Sequence, residues 1–179
     1  VMREAKRGSL RGIHGALSQL ISVPEQYAVA IETAFGAALQ NIVTDSEGDA
    51  KRAIQFLKET KGGRATFLPL SAVRGRMLEE RGLAQCDGFV AVASDLVKCD
   101  ATYEAVVKAQ VGRTAVAEDM DCAIAIARKF SYRFRIVTLD GQIINAGGSM
   151  TGGSRMQNAG FLSRSNEIEK LRTEMQAAQ

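Results

Sequence analysis

The sequence predicts a mixed α/β (α+β) body of two pseudo-repeated lobes, each built of helices and short sheets, set between two helical stubs. Three observations predict it. Helix-period segments alternate with short apolar runs, the order helix–strand–helix–strand occurs twice, and both ends are charged where the middle is apolar. The chain has 179 residues, 46% hydrophobic and 24% charged, a size that buries about 70% of its unfolded surface. That apolar content excludes disorder, and 17 Gly with 2 Pro exclude a collagen-like or low-complexity chain. A net charge of +3 is mild, so charge clustering carries the argument about partners.

Val1-Met2-Arg3-Glu4-Ala5-Lys6-Arg7 reads as a helical stub that stops at Gly8, in the position of a C-cap glycine. Pro24 opens a helix through Tyr27 and Ile31 that closes at Gly36. Leu39-Gln40-Asn41-Ile42-Val43 reads as a strand. Thr44-Asp45-Ser46 caps a helix through Ala50, Ala53, Ile54 and Leu57, and Gly62-Gly63 ends it. Arg64 to Leu70 reads as the next strand.

The second half runs in parallel. Tyr103 to Gly112 repeats the spacing of Tyr27 to Gly36, and Asp119 to Phe130 that of Asp45 to Phe56. Thr114-Ala115-Val116-Ala117 and Arg135-Ile136-Val137-Thr138-Leu139 are its strands, and the helix between them carries Ile124, Ala127 and Phe130. Asp140-Gly141 supplies a hairpin turn toward Gln142-Ile143-Ile144. At the far end, Asn166 and Glu169 form a capping-box pattern, followed by an a/d seam of Ile168, Leu171, Met175 and Ala178. Two charged helical ends bracketing one body fit an insertion into a coiled coil.

The composition argues against catalysis. His14 is the single histidine and sits in Gly12-Ile13-His14-Gly15, where a structural or solvent-facing imidazole is favoured over a catalytic one. No Walker A loop occurs, and the acidic pairs Glu79-Glu80 and Glu118-Asp119 read as solvated charges. Cys86, Cys99 and Cys122 lack CxxC spacing, so neither a disulfide framework nor a zinc site is expected and they read as small buried apolar residues. No metal and no cofactor are expected. No signal peptide opens the chain, and the apolar stretch Phe89-Val90-Ala91-Val92-Ala93 is far shorter than the roughly 20 residues a bilayer requires. A reducing, cytoplasmic setting is the expectation.

The most specific local feature is Gly147-Gly148-Ser149-Met150-Thr151-Gly152-Gly153-Ser154. Paired glycines serve a phosphate cradle or a close approach of two backbones. No lysine and no helix start follow directly, which favours contact with another chain, the cradle remaining the runner-up.

Leu10-Arg11-Gly12-Ile13-His14-Gly15, the helix from Tyr27 to Gly36, and Thr138-Leu139-Asp140-Gly141 leading into the glycine run together resemble the hinge domain of SMC (structural maintenance of chromosomes) proteins of the bacterial type. The resemblance spans about residues 10–154. It implies that residues 1–9 end an inward coiled-coil arm, 10–95 form the N-terminal lobe, 96–160 the C-terminal lobe, and 161–179 begin the outward arm. It also implies a homodimer with two equivalent lobe-to-lobe contacts, made through Gly147, Gly148, Ser149, Met150, Thr151, Gly152 and Gly153. The ATPase heads of such proteins lie at the far end of the arms, so this chain is expected to hydrolyse nothing.

Weak DNA contact near the arm junction, with single strands preferred and little sequence specificity, is implied as well. Arg3, Lys6, Arg7 and Arg11 on the inward arm, with Arg155, Arg164, Lys170 and Arg172 on the outward one, are its candidate cations. The expected role is chromosome condensation and segregation in the cytoplasm, associated with the nucleoid. The alternative is a small α/β ligand- or phosphate-binding domain using the loop 147–154.

Overall fold

The computed structural model describes residues 1–154 together with Gly160, Leu162, Ile168 and Met175. The incoming stub is helix α1 (Met2–Lys6), and the chain turns off it at Gly8 with φ +78°. Strand β1 (Ile13–Ala16), the short helix α2 (Leu17–Leu20) and strand β2 (Ile21–Ser22) follow. Pro24 leads through a 3-10 turn (Glu25–Tyr27) into α3 (Ala28–Phe35), which Gly36 ends at φ +54°.

The strand expected over residues 39–43 is shorter and later. Gly36–Gln40 is a 3-10 turn that drives Leu39 into the core, and β3 (Ile42–Thr44) carries the extended backbone. Helix α4 (Glu47–Glu59) opens with a reciprocal capping box. The Ser46 hydroxyl accepts the Asp49 N–H at 3.2 Å while the Asp49 carboxylate accepts the Ser46 N–H at 3.1 Å. Strand β4 (Phe67–Pro69) then lies parallel to β3.

The second half contains β5 (Phe89–Val92), β6 (Lys98–Cys99), α5 (Glu104–Val111), β7 (Thr114–Ala117), α6 (Met120–Lys129), β8 (Arg135–Thr138), β9 (Ile143–Ile144) and β10 (Met150–Thr151). Asp119 caps α6 by accepting the Cys122 N–H at 2.8 Å. The sheets run β1-β3-β4 and β10-β9-β8-β7-β5, and a two-stranded ribbon pairs β2 with β6 across the halves.

The duplication is visible in the pairing. β1 joins β3 antiparallel and β3 joins β4 parallel, just as β5 joins β7 antiparallel and β7 joins β8 parallel. Even the register irregularity recurs, between Ile13 and Gly15 in one unit and Phe89 and Ala91 in the other. The repeat therefore begins at β1 and β5, before the tyrosines that the sequence spacing picked out. Two expectations shift with it. β5 belongs to the second sheet, so sheet membership changes at Phe89, within the residues 10–95 expected to form the first lobe. The true cap of α4 is Ser46, one residue beyond Asp45, so Leu57 and not Phe56 stands at the position of Phe130.

One core is shared between the halves. Leu17, Ile31, Phe35 and Val43 pack in it with Val106, Val111, Val116 and Val137. A second core lies on the other face of the five-stranded sheet, where Ala115, Ala117 and Ile136 meet Ile126, Phe130 and Phe134. Glu79 and Glu80 lie outside any helix, and Glu80 pairs with Arg133 at 2.8 Å instead of standing as a solvated charge. The three cysteines are partly buried, not fully so. On the outgoing side Leu162, Ile168 and Met175 are helical, the first buried in the shared core and the other two exposed. The expected cap residues Asn166 and Glu169, and Leu171 and Ala178 of the seam, fall outside the described residues. Among the described residues no helix is long and apolar enough to cross a membrane.

Candidate functional site

The glycine run builds the edge of the larger sheet. After β8, the turn at Asp140-Gly141 is held by the Thr138 N–H bonding the Gln142 carbonyl at 3.0 Å, and β9 returns antiparallel with Ile136 opposite Ile144. A second turn brings β10 back along β9, closed by the Asn145 N–H on the Ser149 carbonyl at 2.8 Å. That bond makes Ser149 and Asn145 a hydrogen-bonded pair. Alternation along an antiparallel ladder then turns the Met150 N–H and C=O outward, away from β9. Among the described residues β10 is the terminal strand of its sheet, and Ser149, Met150, Thr151, Gly152 and Gly153 are exposed, Met150 by 52%.

The four glycines meet different demands. Gly147 and Gly148 make the β9–β10 turn with φ +87° and +95°, a backbone region that side chains disfavour. At Gly152 a Cβ would lie 2.1 Å from Oε1 of Gln142. That amide braces the end of β10, accepting the Gly153 N–H at 2.9 Å. Gln142 is a site residue that the sequence reading missed, since nothing local marks a glutamine that acts eleven positions away. The N–H groups of Gly147, Gly148 and Gly153 are already engaged, by the Tyr132 carbonyl, the Asn145 carbonyl and the Gln142 side chain. A phosphate cradle needs such groups free and convergent.

The basic residues are gathered only in part. Arg3 and Arg11 are exposed on the incoming side, and Arg7 is exposed and pairs with Glu4 at 3.3 Å. Lys6 lies in α1. Arg155, Arg164, Lys170 and Arg172 fall outside the described residues.

His14 is a tie between the halves. Its Nε2 lies 2.7 Å from the Asp45 carboxylate and its Nδ1 2.9 Å from the Tyr103 hydroxyl, both within hydrogen-bond distance, the rings meeting edge-on. Both ring nitrogens are therefore engaged, one by each half. Burial pushes the Cys99 thiol up, reinforced by Glu104 and Asp100, and the hydrogen bond with Asp119 raises that of Cys122. Neither environment favours a reactive thiolate.

The family profile described as the SMC proteins Flexible Hinge Domain matches residues 10–127. The chromosome partition protein Smc of Bacillus subtilis (strain 168) is 46% identical over 166 residues, which is 90% of this chain. The chain spans only 14% of that relative's length. Among solved structures, the asymmetric dimer of the Geobacillus stearothermophilus SMC hinge domain superposes with a TM-score of 0.89 at 44% identity, covering 98% of this chain and 71% of that one. The Pyrococcus furiosus SMC protein hinge domain gives 0.73 at 35% identity, covering 87% and 81%. With the profile covering well over half its length and the repeated lobes matching in fold, the chain belongs to the SMC hinge-domain family.

Proposed function

We propose that this chain is the homodimerisation hinge of an SMC chromosome condensation and segregation ATPase, joining two coiled-coil arms into a V or ring. The observation that carries the reading is the pair of sheet edges. In the second half, β9 covers the outer edge of β8. The equivalent strand of the first half, β4, is terminal among the described residues, and so is β10. A partner's β10 laid along β4 would join the three-stranded sheet to the partner's five-stranded one. A two-fold axis makes that contact twice with one pair of patches and closes the dimer. The glycines flanking Met150 and Thr151 keep side chains from holding the two backbones apart. The related Geobacillus hinge crystallised as a dimer, which supports the same reading.

Solution mass by light scattering after size exclusion, at several concentrations and at low and high salt, tests this. A salt-resistant dimer is expected, and a clean monomer at tens of micromolar would overturn it. Substituting Gly152 or Gly153 is a blunt test, because Gln142 crowds the first and the second has φ +129°. Met150→Pro is cleaner. It removes only an outward N–H, at an edge position where proline is tolerated in a monomer.

DNA contact near the arm junction belongs to the same proposal. Arg3, Lys6, Arg7 and Arg11 are to meet Arg155, Arg164, Lys170 and Arg172 where the arms lie side by side, neutralising phosphates with little base preference. Fluorescence anisotropy with single- and double-stranded oligonucleotides checks it. Affinity should fall steeply with salt, and charge reversal at Arg3, Arg7 and Arg11 together should flatten that slope. ATP hydrolysis resides in heads elsewhere in the full protein, and the site of action is the nucleoid in the cytoplasm.

A further inference from the structure

Glu32 is out of place by pattern. It lies in Ala28–Phe35, where Ala28, Ile31, Ala34 and Phe35 are all buried, yet it is itself only 7% exposed. A carboxylate in such a position costs free energy unless strong hydrogen bonds compensate. Here its Oε1 accepts the backbone N–H of Leu162, 130 residues away, at 2.6 Å. Leu162 is helical, 1% exposed and part of the shared core. The approach is so close that Gly160 has no room for a side chain, since a Cβ there would lie 1.7 Å from Glu32 Oε2. A buried acceptor on the body, a glycine that lets the returning chain reach it, and a leucine plugged beside it are three features of one seat.

The same helix is held from the other half. Arg135, on β8, donates to the carbonyls of Ala34 at 2.9 Å and Thr33 at 3.3 Å, the last turn of α3. A cation suits that helix end. α3 therefore bears the outgoing chain at Glu32 and the five-stranded sheet at its next two residues.

We propose that Glu32 is the positioning residue for the outgoing arm, and that α3 is the strut tying that arm's direction to the sheet that ends in β10. The proposal rests on reading residues 161–179 as the start of an arm. It makes arm direction and the state of the β10 edge linked quantities, because a movement of β8 reaches Leu162 through Arg135 and one turn of helix.

The test uses the full 179-residue chain and two readouts. One is amide exchange at Leu162 by NMR. The other is the distance between arms from a spin label at Met175→Cys, with the three native cysteines replaced by alanine. Glu32→Ala should speed Leu162 exchange by about tenfold or more, as expected for losing a charge-assisted hydrogen bond, and should broaden the inter-arm distance. Glu32→Gln keeps an acceptor and should retain most of the protection. Gly160→Ala attacks the seat from the arm side and should also speed exchange at Leu162. If Glu32→Ala or Gly160→Ala leaves Leu162 exchange and the distance distribution as in the parent, the proposal fails. Should Glu32→Ala not fold, Gly160→Ala decides alone. Light scattering on each variant separates the two ideas. Loss of protection at Leu162 in a chain that never dimerises would uphold the seat and reject the dimer.

Discussion

The two lobes contain the same β–β–β unit, down to the irregularity in its first strand, but they finish it differently. In the second lobe α6 lays Ile126 and Phe130 against Ala115, Ala117 and Ile136, a second core on the outer face of its sheet that Leu78 and Leu83 also enter. In the first lobe the equivalent positions of α4 are Ala53 and Leu57, and neither belongs to a separate buried cluster. The first lobe borrows its core from the second through α3 and α5. Among the described residues its sheet also ends at β4, whereas the second adds β9 and β10. The half with the second core carries the projecting edge, and the other half has the strand to receive it.

The largest effect should come from making the second lobe resemble the first. Ile126→Ala empties a site that is 1% exposed and should cost about 2–5 kcal/mol, read as a fall in the thermal midpoint of the whole chain. A loss confined to the second lobe's signals, with the shared core still cooperative, would contradict the dependence drawn here.

Next is the edge. Met150→Pro should raise the dimer dissociation constant by at least about tenfold, or about 1.4 kcal/mol, while leaving the monomer's melting unchanged. Equal sedimentation of variant and parent at all concentrations would reject β10 as the contact.

The two helix caps sharpen the comparison further. Ser46→Ala should destabilise by about 1 kcal/mol. The Ser46 hydroxyl holds the Asp49 carboxyl below its ordinary value of 3.8, with Arg52 also lowering it and burial opposing. A carboxyl depressed in the folded state stabilises above that value, and the contribution is lost as the pH falls through the folded one. The parent should therefore lose more stability than Ser46→Ala on acidification below about pH 3.8. Asp119 behaves likewise in direction, lowered by the Cys122 N–H, so acid weakens the starts of both helices.

The smallest change concerns the tie between halves. Tyr103→Phe removes the hydroxyl bonded to His14 Nδ1 and should cost about 0.5–1 kcal/mol in chemical denaturation. No change at all would make the His14 contact incidental to holding the lobes together.

Much of this was legible in the order of residues. Caps at Ser46 and Asp119, the glycine stops at Gly8 and Gly36, and the Asp140-Gly141 turn depend on neighbours within four positions, so their chemistry is printed locally. The paired glycines Gly147 and Gly148 marked the positive-φ turn between β9 and β10. What stayed hidden acts over distance. Ile13-His14-Gly15-Ala16 and Phe89-Val90-Ala91-Val92 share no identities in register, so nothing marked them as the same strand in two copies. Leu39 looked like strand because a short apolar run has no period to read, and its burial from a 3-10 turn was decided by the core it fills.

The sequence by itself determined the repeated lobes, the helix ends and the edge motif, because each follows from spacing and backbone preference within a few residues. Tertiary structure alone decided which sheet takes β5, that Gln142 braces Gly153, and that Glu32 seats Leu162. Those choices are made by shape and hydrogen-bond satisfaction between segments that meet only once the chain has packed.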